Sequence, residues 1–585
     1  MKLRLLRLIK YFTSNRLTRR VIESVAIGIL AGCLAALFFY CLKAADTFVI
    51  YLVGGTLSPS PLGEPPLFNV ISKPQSLWLK ILLPAFGGLA SGFLVYLFAP
   101  EAEGHGTDAM IKAFHQEDGN IRSRVPIIKG LATIFILATG GSAGREGPII
   151  QMGAGVGSLI ARILRLSVRI KRQLLLAGAA AGIGAIFKAP LGGAITAIEI
   201  IYKEDFEAEA LIPSVISSVS SYAVFSAFFG HATIFGLPIT PSFYDLREFA
   251  FYLLLSIASA LAGILFIRVF KRTRRIFHQL PIYPPLKPAL GGLLVGLLGI
   301  FVPQILGTGW GEIQIALMGK YGALLLVTIA LAKILATSFT VGSGGSGGIF
   351  GPSLFIGGML GGGIGLFGHH YFPAIVQQPE AYILVGMASF FAGIANAPIG
   401  ALVMVMEMTG AYGLVAPFML VSIFAILFTQ KWSIYDSQLR SRFDSPSHRE
   451  DLVRDILSEI TTAQLWNELQ VAPEPIPAST LIKDIPTAFR KSTVPYLLVK
   501  KSSDIDGIIE SDDYVGVAGI EETNVILATD VASPIPQVKQ SDSLRSVLRA
   551  MMIRGVNHAL VISSAEEKPR IITSEQIESA AERHR

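Results

Sequence analysis

From Val21 to about Gln430 the chain is a succession of apolar segments, and those segments come in two lengths. Val21–Leu42, Leu77–Phe98, Phe249–Val269, Leu324–Thr340 and Leu414–Thr429 approach the ~20 residues a helix needs to cross a bilayer. Pro126–Thr139, Pro148–Ile160, Leu174–Phe187, Leu191–Ile201, Pro352–Phe367 and Ile399–Met408 are shorter and are cut by Gly or Pro. A helix broken at membrane depth frees backbone groups that lipid cannot satisfy, so it must be buried in protein or line a polar cavity. The expected fold is therefore an all-α polytopic membrane domain over 21–440, with two halves at about 21–230 and 245–440. Charged residues make up only 16% of the chain, and those past 431 read as an ordinary soluble sequence. A small α/β cytoplasmic domain is expected at 451–585, after a polar linker at Ser441–Glu450.

Residues 1–20 carry seven Lys or Arg and no acid, which predicts a cytoplasmic N-terminus by the positive-inside rule. The apolar run that follows is too long for the core of a signal peptide. A basic arm for nucleic acid is excluded because everything downstream belongs in lipid. Cys33 and Cys41 are the only cysteines, so no disulfide framework or thiolate metal site is expected.

The broken segments repeat. Phe187-Lys188-Ala189-Pro190 leads to Glu199, nine residues after the proline, and Ala395-Asn396-Ala397-Pro398 leads to Glu407 at the same spacing. Upstream of each lies a Gly-rich turn closed by proline, Gly141-Ser142-Ala143-Gly144-Arg145-Glu146-Gly147-Pro148 and Gly344-Gly345-Ser346-Gly347-Gly348-Ile349-Phe350-Gly351-Pro352. Matching interrupted segments in two halves are a mark of transport sites. Each turn is expected to feed a proline at the first position of a helix, leaving backbone N–H groups unpaired at its positive end. Such a site takes an anion without a full positive charge, so the anion can leave again.

With these motifs and Tyr435 after the last span, the chain resembles the CLC family of chloride channels and chloride/proton exchangers over roughly residues 20–440. The resemblance implies an inverted repeat of broken helices, a homodimer with one anion path per subunit, and chloride as the transported ion. It assigns the gate to Glu146, whose carboxylate competes with the anion. It assigns anion contacts to the Gly147, Ile349, Phe350 and Gly351 turns with Arg145, and to the Tyr435 hydroxyl on the cytoplasmic side. It makes Glu146 and Glu199 candidates for a proton pathway.

Two positions depart from the family pattern. The Gly-Ser-Gly-Ile-Pro element is replaced by Gly104-His105-Gly106-Thr107-Asp108, so His105 and Gly106 become anion-site candidates and nitrate or fluoride stand as alternatives to chloride. The second acid that family exchangers commonly carry falls on Ile200. An apolar side chain relays no proton, which leans the reading to a passive, glutamate-gated channel, with proton exchange as the alternative. Glu199 and Glu407 are weighed as scaffold carboxylates accepting backbone hydrogen bonds. Lys188 is expected either to raise the potential of the inner vestibule or to snorkel to the interface.

The tail resembles a pair of CBS motifs: a second copy at about 527–585 ordered strand, helix, strand, strand, helix, and a degenerate first copy at 452–526 with strands at Val494–Val499 and Gly516–Ile520. Nucleotide-binding copies place an acid where Gln576 stands, so a dimer-stabilising module is preferred over adenine-nucleotide sensing. No other cofactor is expected, and no His-Glu-x-x-His element or other catalytic motif marks an enzyme. A cation-coupled solute transporter, which would present carbonyls or carboxylates to its ion, is the remaining alternative. The chain is thus expected in a plasma or inner membrane, with both termini cytoplasmic.

Overall fold

The computed structural model describes residues 16–54, 59–68, 76–237, 241–243, 245–448, 457–492, 494–501, 504–511, 526–563 and 568–583. Most of the basic N-terminal stretch and the Gly516–Ile520 strand lie outside them. The chain divides into two compact units, one ending at Ser447 and the other beginning at His448.

Among the described residues of the first unit, eight helices of one half are answered by eight of the other. The first half runs α1 (Arg16–Val53), α2 (Leu77–Phe98), α3 (Thr107–Gln116), α4 (Val125–Ala138), α5 (Glu146–Ile163), α6 (Val168–Ile186), α7 (Pro190–Glu199) and α8 (Leu211–Phe229). The second runs α9 (Glu248–Gln279), α10 (Leu286–Phe301), α11 (Trp310–Leu317), α12 (Ala323–Gly342), α13 (Phe350–Tyr371), α14 (Pro379–Ala395), α15 (Pro398–Thr409) and α16 (Val415–Thr429). Among the described residues, seven helical stretches are long and apolar enough to cross a membrane. Their exposed faces are apolar, as with Leu37 on α1, Phe228 on α8 and Leu324 on α12.

The halves run in opposite directions. α1 starts at the end of the unit where Arg20 bonds Gln173 of α6. Its counterpart α9 finishes at that end, where Arg274 and His278 line a cavity with Asn120 and Arg122, and Asn120 accepts from Lys171 of α6. At the centre, Gly144 and Gly348 exchange N–H···O bonds of 2.7 Å in both directions, so the N-termini of α5 and α13 meet head to head.

Local chemistry repeats with the topology. The turns before α3 and α11 leave their carbonyls without helical partners, and a buried lysine answers them in each half. Lys129 on α4 donates to Ala102 O at 2.9 Å and Gly104 O at 2.5 Å, and Lys333 on α12 donates to Ile305 O and Gly307 O at 2.8 Å each. Glu199 at the end of α7 accepts from the N–H groups of Ile399 (3.2 Å) and Gly400 (2.7 Å) on α15; Glu407 accepts from Leu191 (3.2 Å) and Gly192 (2.7 Å) on α7. Each carboxylate thus caps the N-terminus of its counterpart's helix, where four N–H groups lack intrahelical partners. Close backbone packing is repeated too: a Cβ on Gly153 would lie 2.2 Å from Gly178 O, and one on Gly357 2.2 Å from Gly386 O.

Several expectations are corrected. α5 and α13 begin at Glu146 and Phe350, so Pro148 and Pro352 occupy the third helical position rather than the first. Any first-turn position suits proline, since its missing N–H would have had no helical acceptor. α8 escaped the apolar reading because Ser214, Ser217, Ser218, Ser221 and Ser226 interrupt its sequence; those serines are buried and form its packing face, where Gly28 and Gly32 of α1 approach the Ser217 and Ser221 carbonyls. The stretch from Ser441 to Ser447 is packed rather than a free linker: Arg442 N donates to Asp205 at 3.2 Å and Ser445 bonds His115 at 2.8 Å.

Among its described residues, the second unit has two four-stranded sheets. Its strands are β1 (Gln470–Val471), β2 (Ile476–Pro477), β3 (Tyr496–Lys501), β4 (Asp504–Glu510), β5 (Ser533–Pro534), β6 (Gln537–Lys539), β7 (His558–Ile562) and β8 (Arg570–Thr573), and its helices are α17 (Ile485–Lys491), α18 (Ala528–Val531), α19 (Leu544–Arg554) and α20 (Ser574–Arg583). The sheet orders are β1-β8-β7-β6 and β2-β3-β4-β5. In each, a parallel pair (β2·β3, β6·β7) is followed by an antiparallel one (β3·β4, β7·β8). β6, α19, β7, β8 and α20 reproduce the expected strand, helix, strand, strand, helix order. α19 opens on Ser543, which accepts from Ser546 N, and closes on Gly555 at φ +66°, the usual pairing of polar N-cap and left-handed glycine.

Candidate functional site

The site is assembled where the broken helices converge. Gly106 precedes α3 at φ +83°, and Gly147 sits against that turn, where a Cβ would lie 2.2 Å from His105 O and 2.9 Å from Gly348 Cα. These glycines let the turns before α3, α5 and α13 touch through their backbones. Ile349 and Phe350 are buried at the start of α13, with the Phe350 ring held between Phe391 and Phe187 at centroid distances of 3.9 and 4.9 Å.

Glu146 is fully buried. Its Oε2 accepts from Gly351 N at 3.2 Å, and its Oε1 from Trp310 Nε1 at 3.0 Å. The carboxylate therefore lies on the N-terminus of the facing helix α13, in the kind of position a bound anion would occupy. Arg145 beside it is turned away: its two terminal nitrogens bond Glu64 at 2.8 and 2.5 Å, and only its Nε approaches Glu146, at 3.7 Å.

His105 and Tyr435 meet on the other side, with ring centroids 5.4 Å apart. His105 Nδ1 accepts from Asp108 N at 3.4 Å, which leaves Nε2 to carry the ring proton in the neutral form. The Asp108 carboxylate accepts from Ser437 N and Oγ at 2.7 and 3.1 Å, tying α3 to the segment that carries Tyr435. Gln438 fixes the same segment by donating to Ile200 O at 3.0 Å and Ala395 O at 2.8 Å. The hydroxyls of Tyr435 and Thr107 are buried and face each other, and neither finds a further partner among the described residues. Buried polar atoms are nearly always satisfied, and the place of this pair beside His105 gives it free capacity to bond a polar ligand.

A cavity approaches from each end. One, of about 870 Å³, is lined by Lys43, Asp46, Glu64, Arg145 and Trp310. The other, of about 1070 Å³, is lined by His105, Gly106, Asp108, Gln151 and Arg274. Between them lie the buried Glu146 and Tyr435.

The geometry gathers Glu146, Gly147, His105, Gly106, Ile349, Phe350, Gly351 and Tyr435. It holds Glu199 apart on the α15 N-terminus, and it commits the Arg145 guanidinium to Glu64. Lys188 corrects its expectation: it is buried, at φ +52°, and donates to Gly63 O, Phe229 O and Ala232 O at 3.1, 3.1 and 3.2 Å. Those carbonyls lie at the end of the unit opposite Arg20, away from the His105 cavity, because freed turn carbonyls there claim the ammonium. Thr107, Trp310 and Glu64 were missed. Trp310 was findable, since Gly307-Thr308-Gly309-Trp310 repeats Gly104-His105-Gly106-Thr107. In the second unit, Gln576 accepts from Thr573 N at 3.1 Å while its own N–H bonds Thr573 Oγ1 at 3.2 Å, a reciprocal cap of α20.

A family model described as voltage gated chloride channel matches residues 87–430. A putative ClcB-like chloride channel protein of Ralstonia nicotianae is 33% identical over 350 residues, 59% of this chain and 81% of the relative. The H(+)/Cl(−) exchange transporter ClcA of Vibrio cholerae serotype O1 is 31% identical over 417 residues, 70% of this chain and 85% of the transporter. Among solved structures, a slow cyanobacterial Cl−/H+ antiporter shares the fold with a TM-score of 0.62 at 23% identity, covering 71% of this chain and 94% of its own. The chain is an integral membrane protein of the voltage-gated chloride channel (CLC) family.

Proposed function

We propose that this protein moves chloride through each subunit of a homodimer, along a path gated by the Glu146 carboxylate. The observation that carries the reading is the contact of Glu146 with the α13 N-terminus through Gly351 N–H, reinforced by Trp310 Nε1–H. Chloride entering from either cavity would exchange with the carboxylate for the same donors. Protonation or rotation of Glu146 would free them. The inner ligands are the Tyr435 and Thr107 hydroxyls, with His105 Nε2 at the mouth of the inner cavity. All of these groups can donate to an anion, which argues against a cation-coupled solute transporter.

The reading leans to passive conduction because the position next to Glu199 is Ile200, buried among apolar groups, and because both Glu199 oxygens are engaged by backbone N–H groups. Proton exchange is the second reading, favoured by the name of the Vibrio cholerae relative. The test is reconstitution in liposomes with a chloride gradient, recording chloride and pH together. Chloride efflux without proton movement supports the channel; uphill proton movement driven by chloride makes the protein an exchanger. Glu146→Gln should leave anion flow in place and abolish its pH dependence. Gating that survives this substitution would remove Glu146 from the role.

A further inference from the structure

The segment between α1 and α2 is built into the path. Gly63 N donates to Ile234 O at 2.9 Å and Leu62 N to Gln314 Oε1 at 3.3 Å, while Lys188 Nζ reaches Gly63 O at 3.1 Å. The fit is tight enough that a Cβ on Gly63 would lie 1.7 Å from Thr233 O, and one on Gly311 1.7 Å from Pro59 O. This anchoring delivers one carboxylate, Glu64, which is 5% exposed and grips Arg145 through both terminal nitrogens. The guanidinium is also stacked near Phe39 and Trp310, with its central carbon 5.0 and 5.8 Å from the ring centroids. Its Nε has no hydrogen-bond partner among the described residues and stands 3.7 Å from Glu146 Oε1. Two carboxylates thus face one guanidinium, and Glu64 holds the forked geometry that makes Arg–carboxylate pairs strong.

We infer that Glu64 is a positioning residue: residues 59–64 form an arm that occupies the Arg145 guanidinium, so that the Glu146 carboxylate is free to leave the α13 N-terminus. The inference rests on Glu146 acting as the gate. Without the Glu64 charge, Arg145 becomes a buried cation whose nearest acid is Glu146, and a buried charge that loses its partner is costly. The guanidinium would then pair with the ionised gate and hold it shut. The other charged groups around the two carboxylates are Lys333 on α12, Lys43 and Asp46 on α1, and Lys188. All four are unchanged by the substitution, so the uncompensated charge of Arg145 sets the direction of the effect.

The test is chloride efflux from liposomes holding the full-length chain, measured from neutral to acid pH. Opposite charges within hydrogen-bonding reach move a carboxyl by about 1–3 pH units. Glu64→Gln should therefore move the flux midpoint about one unit or more toward acid. Glu64→Asp should keep most of the original midpoint, and the Glu64→Gln/Arg145→Gln pair should return it toward the parent value. Arg145→Gln alone leaves the Glu64 charge unopposed beside the gate, so it should move the midpoint the other way and serves as the readout if Glu64→Gln does not fold. A folded Glu64→Gln protein with the parent midpoint, or an Arg145→Gln protein with no opposite shift, would overturn the inference. Glu146→Gln separates the two layers. pH dependence that survives it sinks the gate itself, whereas dependence that it abolishes but Glu64→Gln leaves untouched sinks only the role of Glu64.

Discussion

The two halves of the membrane unit share a scaffold and differ at the site. Lys129 and Lys333 clamp equivalent turns, Glu199 and Glu407 cap each other's helices, and Thr133 and Thr337 bond Ser346 and Ser142 at 3.2 Å across the halves. Where Glu146 opens α5, Phe350 opens α13; where Arg145 precedes one, Ile349 precedes the other; where Thr107 starts α3, Trp310 starts α11. Paired residues hold backbone that the membrane would leave unsatisfied, and both halves need that equally. The unpaired residues at these helix starts are the ones the proposed function puts on the anion path, where an asymmetric membrane would require different groups at each depth. At these helix starts, symmetry therefore offers a test of which residues are scaffold and which serve the proposed path.

The lysine clamps give the largest test. Lys333→Met leaves two carbonyls without a donor. Lys129→Met leaves only Ala102 O bare, because Gly104 O keeps Gly347 N at 3.2 Å. At about 1–3 kcal/mol per orphaned group, Lys333→Met should cost about 2–5 kcal/mol and Lys129→Met about 1–3 kcal/mol in thermal or denaturant unfolding. A loss in only one of them would break the equivalence. The glycines test the asymmetry. Gly147→Ala drives a Cβ into backbone, at His105 O and Gly348 Cα, and should cost about 3 kcal/mol. Gly351→Ala meets the Glu146 carboxylate first, 2.6 Å away, a side chain rather than backbone, so the protein should fold and show altered pH dependence of chloride flux. A Gly351→Ala protein with parent gating would separate Glu146 from the α13 N-terminus.

Removing one capping charge is milder. Glu199→Gln and Glu407→Gln should lower stability alike, by about 1–2 kcal/mol, with unchanged proton movement in the liposome assay. If Glu199→Gln alone altered that movement, Glu199 would belong to the proton path and the shared scaffold role would fail. The smallest effect belongs to the second unit, where Gln576→Ala removes a reciprocal cap worth about 1 kcal/mol. Its unfolding transition should shift slightly, with no change in any response of the protein to adenine nucleotide.

The repeat was legible because its elements are local: a glycine turn, a proline and a carboxylate nine residues on can be read from short windows. Long spans such as Leu77–Phe98 were legible for the same reason. The Ser-rich α8 and the short helices α3 and α11 were not, because their burial depends on neighbours that close over them. His105 was picked out by its departure from the family element, yet its contact with Tyr435 depends on how α3 docks.

By itself the sequence determined a twofold, broken-helix membrane domain with Gly-rich turns at its helix starts and a small α/β tail, since hydrophobic runs and helix-breaking residues act over a few turns of chain. Only the tertiary structure decided that Glu146 rests on the opposite helix N-terminus, that Lys188 clamps carbonyls at the far end from His105, and that Glu64 reaches Arg145. Those pairings join residues distant in the chain, and burial decides them: a charge removed from water must find its partner wherever the fold brings one within reach.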